Sequence, residues 1–132
     1  MPASQPFGLD RVGQVFVTAH DLDRAVAFYR DRLGMRFLFQ VPAMAFFQCG
    51  DLSVMLGTPE QPEFDHPASI IYYLVENIER AHRALLERGV AFIRAPALTH
   101  RAPDHELWLA FFNDSEGNTA ALMARKPTAT AG

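Results

Sequence analysis

One cysteine, Cys49, stands in the whole chain, so no intrachain disulfide can form, and such sparing use fits a reducing cytoplasm. No apolar run approaches the ~20 residues a membrane-spanning helix needs. The stretch from Met1 to Asp10 lacks the basic region and apolar core of a signal peptide. Charge of one sign is missing too. The 12 basic residues are dispersed and outnumbered by 15 acidic ones, so neither a nucleic acid nor an anionic membrane is an expected partner. There is no glycine-rich phosphate loop, no G-x-S-x-G elbow and no HExxH pair. What remains is a globular composition, 49% apolar, in 132 residues. That length suffices for one domain burying roughly 65–70% of its unfolded surface.

The chain repeats itself. Residues 14–56 and 70–122 both read as strand, helix and three further strands. Asp23-Arg24-Ala25 returns 56 residues later as Glu79-Arg80-Ala81, each opening an amphipathic stretch. Phe46-Phe47 returns as Phe111-Phe112 at a separation of 65, and Leu56 as Leu122 at 66. Asp21 or Asp23 is placed to cap a first helix running to about Leu33, with Gly34 as its stop. Asn77 and Gly89 bracket a second helix in the same way. The strands of the second half are expected at Ser69–Val75, Val90–Arg94, His105–Phe112 and Asn118–Met123. Ala95–Asp104, with Pro96 and Pro103, reads as a loop. The fold class is α+β: module one at about 12–57, a proline-bearing linker at 58–67, module two at about 68–124, and a frayed tail at 125–132. One βαβββ unit of this size cannot cover both faces of its sheet, so the two copies must pair around a shared interior.

Three passages carry a family resemblance: Asp21-Leu22-Asp23-Arg24-Ala25, Phe28-Tyr29 with Leu33-Gly34, and the ending Phe111-Phe112-Asn113-Asp114-Ser115-Glu116-Gly117-Asn118. Together they resemble the vicinal oxygen chelate superfamily of glyoxalase I, bleomycin-resistance proteins and extradiol dioxygenases, over residues 12–124. The resemblance implies tandem βαβββ modules forming a curved mixed sheet around an open cleft, and a homodimer. In the metal-dependent members, the first and last strand of each module contribute metal ligands. Matched motif to motif, those positions fall on Gln14, Met55, Ile70 and Ala121. They offer one amide oxygen, one soft thioether and two hydrocarbon side chains, whereas a divalent cation requires several oxygen or nitrogen donors. The resemblance therefore implies a member without the usual metal, and no cofactor is expected.

Alternation puts Phe16 and Thr18 on the face of Gln14, Tyr72 on that of Ile70, and Met123 on that of Ala121, and the resemblance implies that these residues, with Met55, line the cleft. On the strand His105–Phe112, His105 and Leu107 share one face while Glu106 and Trp108 share the other, and Glu106 and Trp108 are preferred inward. The alternative for that pair is a tryptophan in the helix-facing core beside a solvated Glu106. His66, with Glu63 and Asp65, reads as part of a solvated loop, and Cys49 as an inert strand residue. The expected function is the binding of a small, largely apolar or aromatic molecule without a divalent metal. A metal-independent lyase or isomerase using Glu106 or His105 for proton transfer is the alternative. A metal-dependent glyoxalase or dioxygenase with ligands displaced to His66, His100 or His105 is a second.

Overall fold

A computed structural model of the chain describes residues 7–9 and 11–128. The N-terminal segment 1–6, with Asp10, and the end of the tail at 129–132 lie outside the described residues. Each half builds one four-stranded mixed sheet. In the first, β1 (Gln14–Thr18), β4 (Leu52–Gly57), β3 (Met44–Cys49) and β2 (Arg36–Val41) lie side by side in that order. The second repeats the order with β5 (Ile71–Leu74), β8 (Thr119–Pro127), β7 (His105–Asn113) and β6 (Phe92–Arg101). The first strand pairs parallel with the last in both sheets, and the remaining ladders are antiparallel. The two halves are thus separate hydrogen-bonded sheets of identical connectivity.

The helices confirm the repeat at its caps. Asp21 accepts from the Arg24 amide and opens α1 (Leu22–Ala27), and Asn77 accepts from the Arg80 amide and opens α2 (Ile78–Glu87). α1 runs directly into a π-turn over Phe28–Arg32, closed by Leu33 N–H donating to the Phe28 carbonyl at 3.0 Å. Both Phe28 and Tyr29 are buried there.

Alternation places one face of each sheet against the helices. Val17, Phe47, Val54 and Leu56 from the first module meet Ala110, Phe112, Leu122 and Ala124 from the second in one shared core. The repeated phenylalanine pairs do equivalent work: Phe47 and Phe112 are essentially inaccessible while Phe46 and Phe111 turn to the outer face. Truncating either buried ring to alanine costs about 3–5 kcal/mol.

Four strands differ in their bounds from the sequence expectation. β1 and β5 are shorter than Val12–Thr18 and Ser69–Val75. The segment expected as a loop after Arg94 continues as strand to Arg101, through two of the three register shifts of β6 against β7. β6 is an edge strand, where a bulge and the missing amide of Pro96 are tolerated. The tail expected to fray from 125 instead prolongs β8 to Pro127.

Candidate functional site

The turn between β7 and β8 locks the modules together. The Asp114 carboxylate accepts from the Tyr29 hydroxyl at 2.8 Å, the Glu116 and Asn118 amides at 2.8 Å each, and the Asn118 side chain at 3.0 Å. The Asn118 amide also donates to the Thr18 carbonyl at 3.2 Å and accepts from the Ala68 N–H at 3.1 Å. The Glu116 carboxylate accepts from the His20 and Asp21 amides at the mouth of α1. The closing motif of the sequence is therefore a clamp holding the end of β1, the linker and α1 in register.

Above this clamp the linker folds back over the outer face of β1 and β4. The Thr18 hydroxyl donates to the His66 carbonyl at 2.9 Å, the Thr58 hydroxyl to the Ala19 carbonyl at 3.0 Å, and the His20 ring meets Asp65 at 2.8 Å. A cavity of about 510 Å³ lies beneath the strap. Phe16, Met55, Met44, Phe64 and Ile71 supply its apolar walls, and Thr18, Thr58, Glu60, Gln61, His66 and Ser69 its polar ones. Gly57 shapes the floor: a Cβ there would come within 2.6 Å of the Phe16 ring.

Of the residues assigned to the cleft from sequence, Phe16, Thr18 and Met55 line this cavity. Gln14 sits just outside, its amide 3.8 Å from the Met55 sulfur. Ile70, just before β5, and Tyr72 on it are exposed, and the Tyr72 ring packs edge-on to Phe111 at 6.1 Å. Ala121 is fully buried opposite Tyr72 and Phe111, and Met123 pairs with Leu74 and Leu109 in the next row.

Glu106 and Trp108 do share a face, but it is the helix-side face. Trp108 packs on the core, its indole N–H donates to Glu106 at 3.2 Å, and Lys126 stacks on its ring while reaching Glu79 of α2. Burying the large ring against α2 outweighs presenting it to the cleft. His105 lies on the opposite face of β7, with Nδ1 2.8 Å from Asp104. Neither Glu106 nor His105 lines the cavity. Cys49 is half-buried, and burial pushes its thiol above the usual range, away from nucleophilic use.

Thr58, Glu60, Gln61 and Phe64 of the strap are the part of the site that sequence reading missed, and His66, read as a solvated loop residue or a displaced metal ligand, lines it with them. Their approach depends on Thr18 and Thr58 tying the linker down, and neither periodicity nor motif signals it. The four positions matched to metal ligands show an equally clear result. Gln14 and Met55 come together while Ile70 and Ala121 belong to the second module, and one amide oxygen, one thioether and two aliphatic side chains do not form a donor set for a divalent cation. Among the described residues, no three His, Cys, Asp or Glu side chains gather to form another.

Sequence comparison now agrees with the topology: a model of the glyoxalase/bleomycin resistance protein/dioxygenase superfamily matches residues 11–122. The chain belongs to this superfamily. A superfamily member from Sphaerobacter thermophilus is 25% identical, with a TM-score of 0.70 over 88% of this chain and 98% of that one. An integron cassette protein from V. cholerae is 15% identical with a TM-score of 0.75, covering 91% of this chain and 98% of the other. A lactoylglutathione lyase from Agrobacterium tumefaciens shares the fold at 19% identity and a TM-score of 0.69, over 89% and 95%. None of the curated proteins matches the chain by sequence.

Proposed function

We propose that this superfamily member binds a small, largely apolar or aromatic molecule in the cavity under the linker strap, and does so without a divalent metal. The observation that carries the reading is the cavity itself: about 510 Å³, walled by Phe16, Met44, Met55, Phe64 and Ile71, with its polar groups confined to the strap and the strand ends beside it. That combination of apolar walls and a few polar groups suits a drug-sized organic molecule. The donor chemistry at Gln14, Met55, Ile70 and Ala121 supports metal independence.

A homodimer is part of the proposal. It is supported by the exposed apolar residues on the outer strands, among them Leu38, Phe39, Tyr72 and Leu74. A cytoplasmic location is also proposed, in keeping with a lone cysteine. No helix among the described residues is long and apolar enough to cross a membrane.

Native mass spectrometry of untagged protein, purified without chelator, tests these statements together. The expected result is a metal-free dimer that retains an organic mass. One tightly held metal per subunit, lost on Gln14→Ala substitution, would overturn the metal-free reading.

A further inference from the structure

The cavity's polar lining is unequal in donors and acceptors. The hydroxyl hydrogens of Thr18 and Thr58 are committed to the His66 and Ala19 carbonyls. His66 Nδ1 lies 3.0 Å from the Pro67 carbonyl. A carbonyl only accepts, so in the neutral ring Nδ1 carries the proton and Nε2 is left as an acceptor. Glu60, acceptor-only when ionised, stands exposed at the mouth of the cavity, as His66 does, and makes no hydrogen bond or ion pair among the described residues. Gln61 and Ser69 can serve in either sense, and among the described residues no lysine or arginine lines the cavity.

We infer that the ligand carries an amine: an apolar or aromatic body lying on Phe16, Met55 and Phe64, with an ammonium or N–H group directed to Glu60 and His66. This rests on the reading that the cavity is the ligand site, and it adds the ligand's charge. An ammonium would exchange water at this carboxylate for a charge-assisted hydrogen bond, and the aromatic walls favour cations as well. A carboxylate ligand would meet Glu60 with no counter-charge in the lining.

Three probes on one ring system separate these cases: 1-naphthylmethylamine, 1-naphthalenemethanol and 1-naphthoate, titrated calorimetrically at pH 8 into the full chain. The amine is expected to bind roughly three- to fivefold more tightly than the alcohol, a difference of about 0.7–1 kcal/mol for a pair with an exposed carboxylate, with naphthoate weakest. Glu60→Gln should erase the gap between amine and alcohol, and Phe16→Ala should weaken every probe. An amine that binds no better than the alcohol, or a gap that survives Glu60→Gln, overturns the amine inference and leaves the cavity reading standing. Failure of all three probes to bind folded protein, or binding indifferent to Phe16→Ala, overturns both.

Discussion

Gly57 and Ala43 show how single residues set the floor of the cavity. Gly57 ends β4, and the ring of Phe16 occupies the space a side chain would fill, with only 2.6 Å to an added Cβ. Gly57→Ala should push the ring aside and weaken an apolar probe such as 1-naphthalenemethanol about as much as Phe16→Ala does. Titrating the three proteins side by side checks this, and wild-type affinity in Gly57→Ala would separate the ring from the binding surface. Ala43, in the β2–β3 turn, holds φ at 71° and lends its carbonyl to the Thr58 amide at 3.0 Å. An alanine in the left-handed region is strained, and a glycine there is not. Ala43→Gly should therefore raise stability by about 0.5–1 kcal/mol, after subtracting the larger chain entropy glycine brings to the unfolded state. Urea denaturation reads this directly.

At the scale of elements, two turns carry the argument. The π-turn of Phe28–Arg32 turns Tyr29 toward the Asp114 clamp. Removing the carboxylate with Asp114→Ala strips the Tyr29 hydroxyl and the Asn118 side chain of a buried partner. About 2–4 kcal/mol should be lost, measured as a lowered unfolding midpoint. The same contact gives stability an alkaline limit. Burial, followed by the charges of Tyr73 and Asp114, raises the Tyr29 phenol far above its ordinary 10.0. Burial raises Tyr73 likewise, with lesser contributions from Cys49 and Asp114. A proton held more tightly in the folded state leaves stability whole below the unfolded pKa near 10. Above it, stability falls by about 1.4 kcal/mol per pH unit for each such phenol. Urea midpoints between pH 8 and 11.5 should stay level and then drop, and Tyr29→Phe should flatten the drop.

Much of this was legible in the chain, because caps, alternation and repeat spacing are local signals. Asp21 and Asn77 cap where their spacing places them, and Phe47 and Phe112 are buried as equivalent residues. What escaped depends on contacts between distant segments. β6 persists past Pro96 because pairing with β7 overrides a local breaker. Trp108 faces α2 because Lys126 and the core receive it there. Strand parity alone is silent on which face meets the helices. The strap of 58–67 closes the cavity through hydroxyls that look like ordinary loop chemistry in sequence.

For the molecule as a whole, the outer faces of the two sheets pose the remaining problem. Side chains paired in register form rows across the strands. Phe16, Met55, Phe46 and Phe39 run across the first sheet, and Tyr72, Ala121, Phe111 and Arg94 across the second. Phe39 is 50% exposed, Tyr72 46% and Leu74 63%, side chains that gain by leaving water. Removing ~100 Å² of apolar surface contributes about 2.5 kcal/mol, so a few such residues from each of two copies can offset the entropy of association. The proposed homodimer follows from that comparison, and it places charge where it does most harm to assembly. Phe39→Glu or Tyr72→Glu should shift the protein toward monomer in sedimentation equilibrium, since each would bury an unpaired carboxylate at the contact. Glu87→Gln, on the exposed end of α2, should leave the mass unchanged. If Phe39→Glu separates the subunits and also weakens the naphthalene probes, the contact between copies supports the cavity wall through the stacked Phe39–Phe46 pair, whose centroids lie 4.7 Å apart. If binding persists in the separated monomer, one chain is sufficient to hold the ligand.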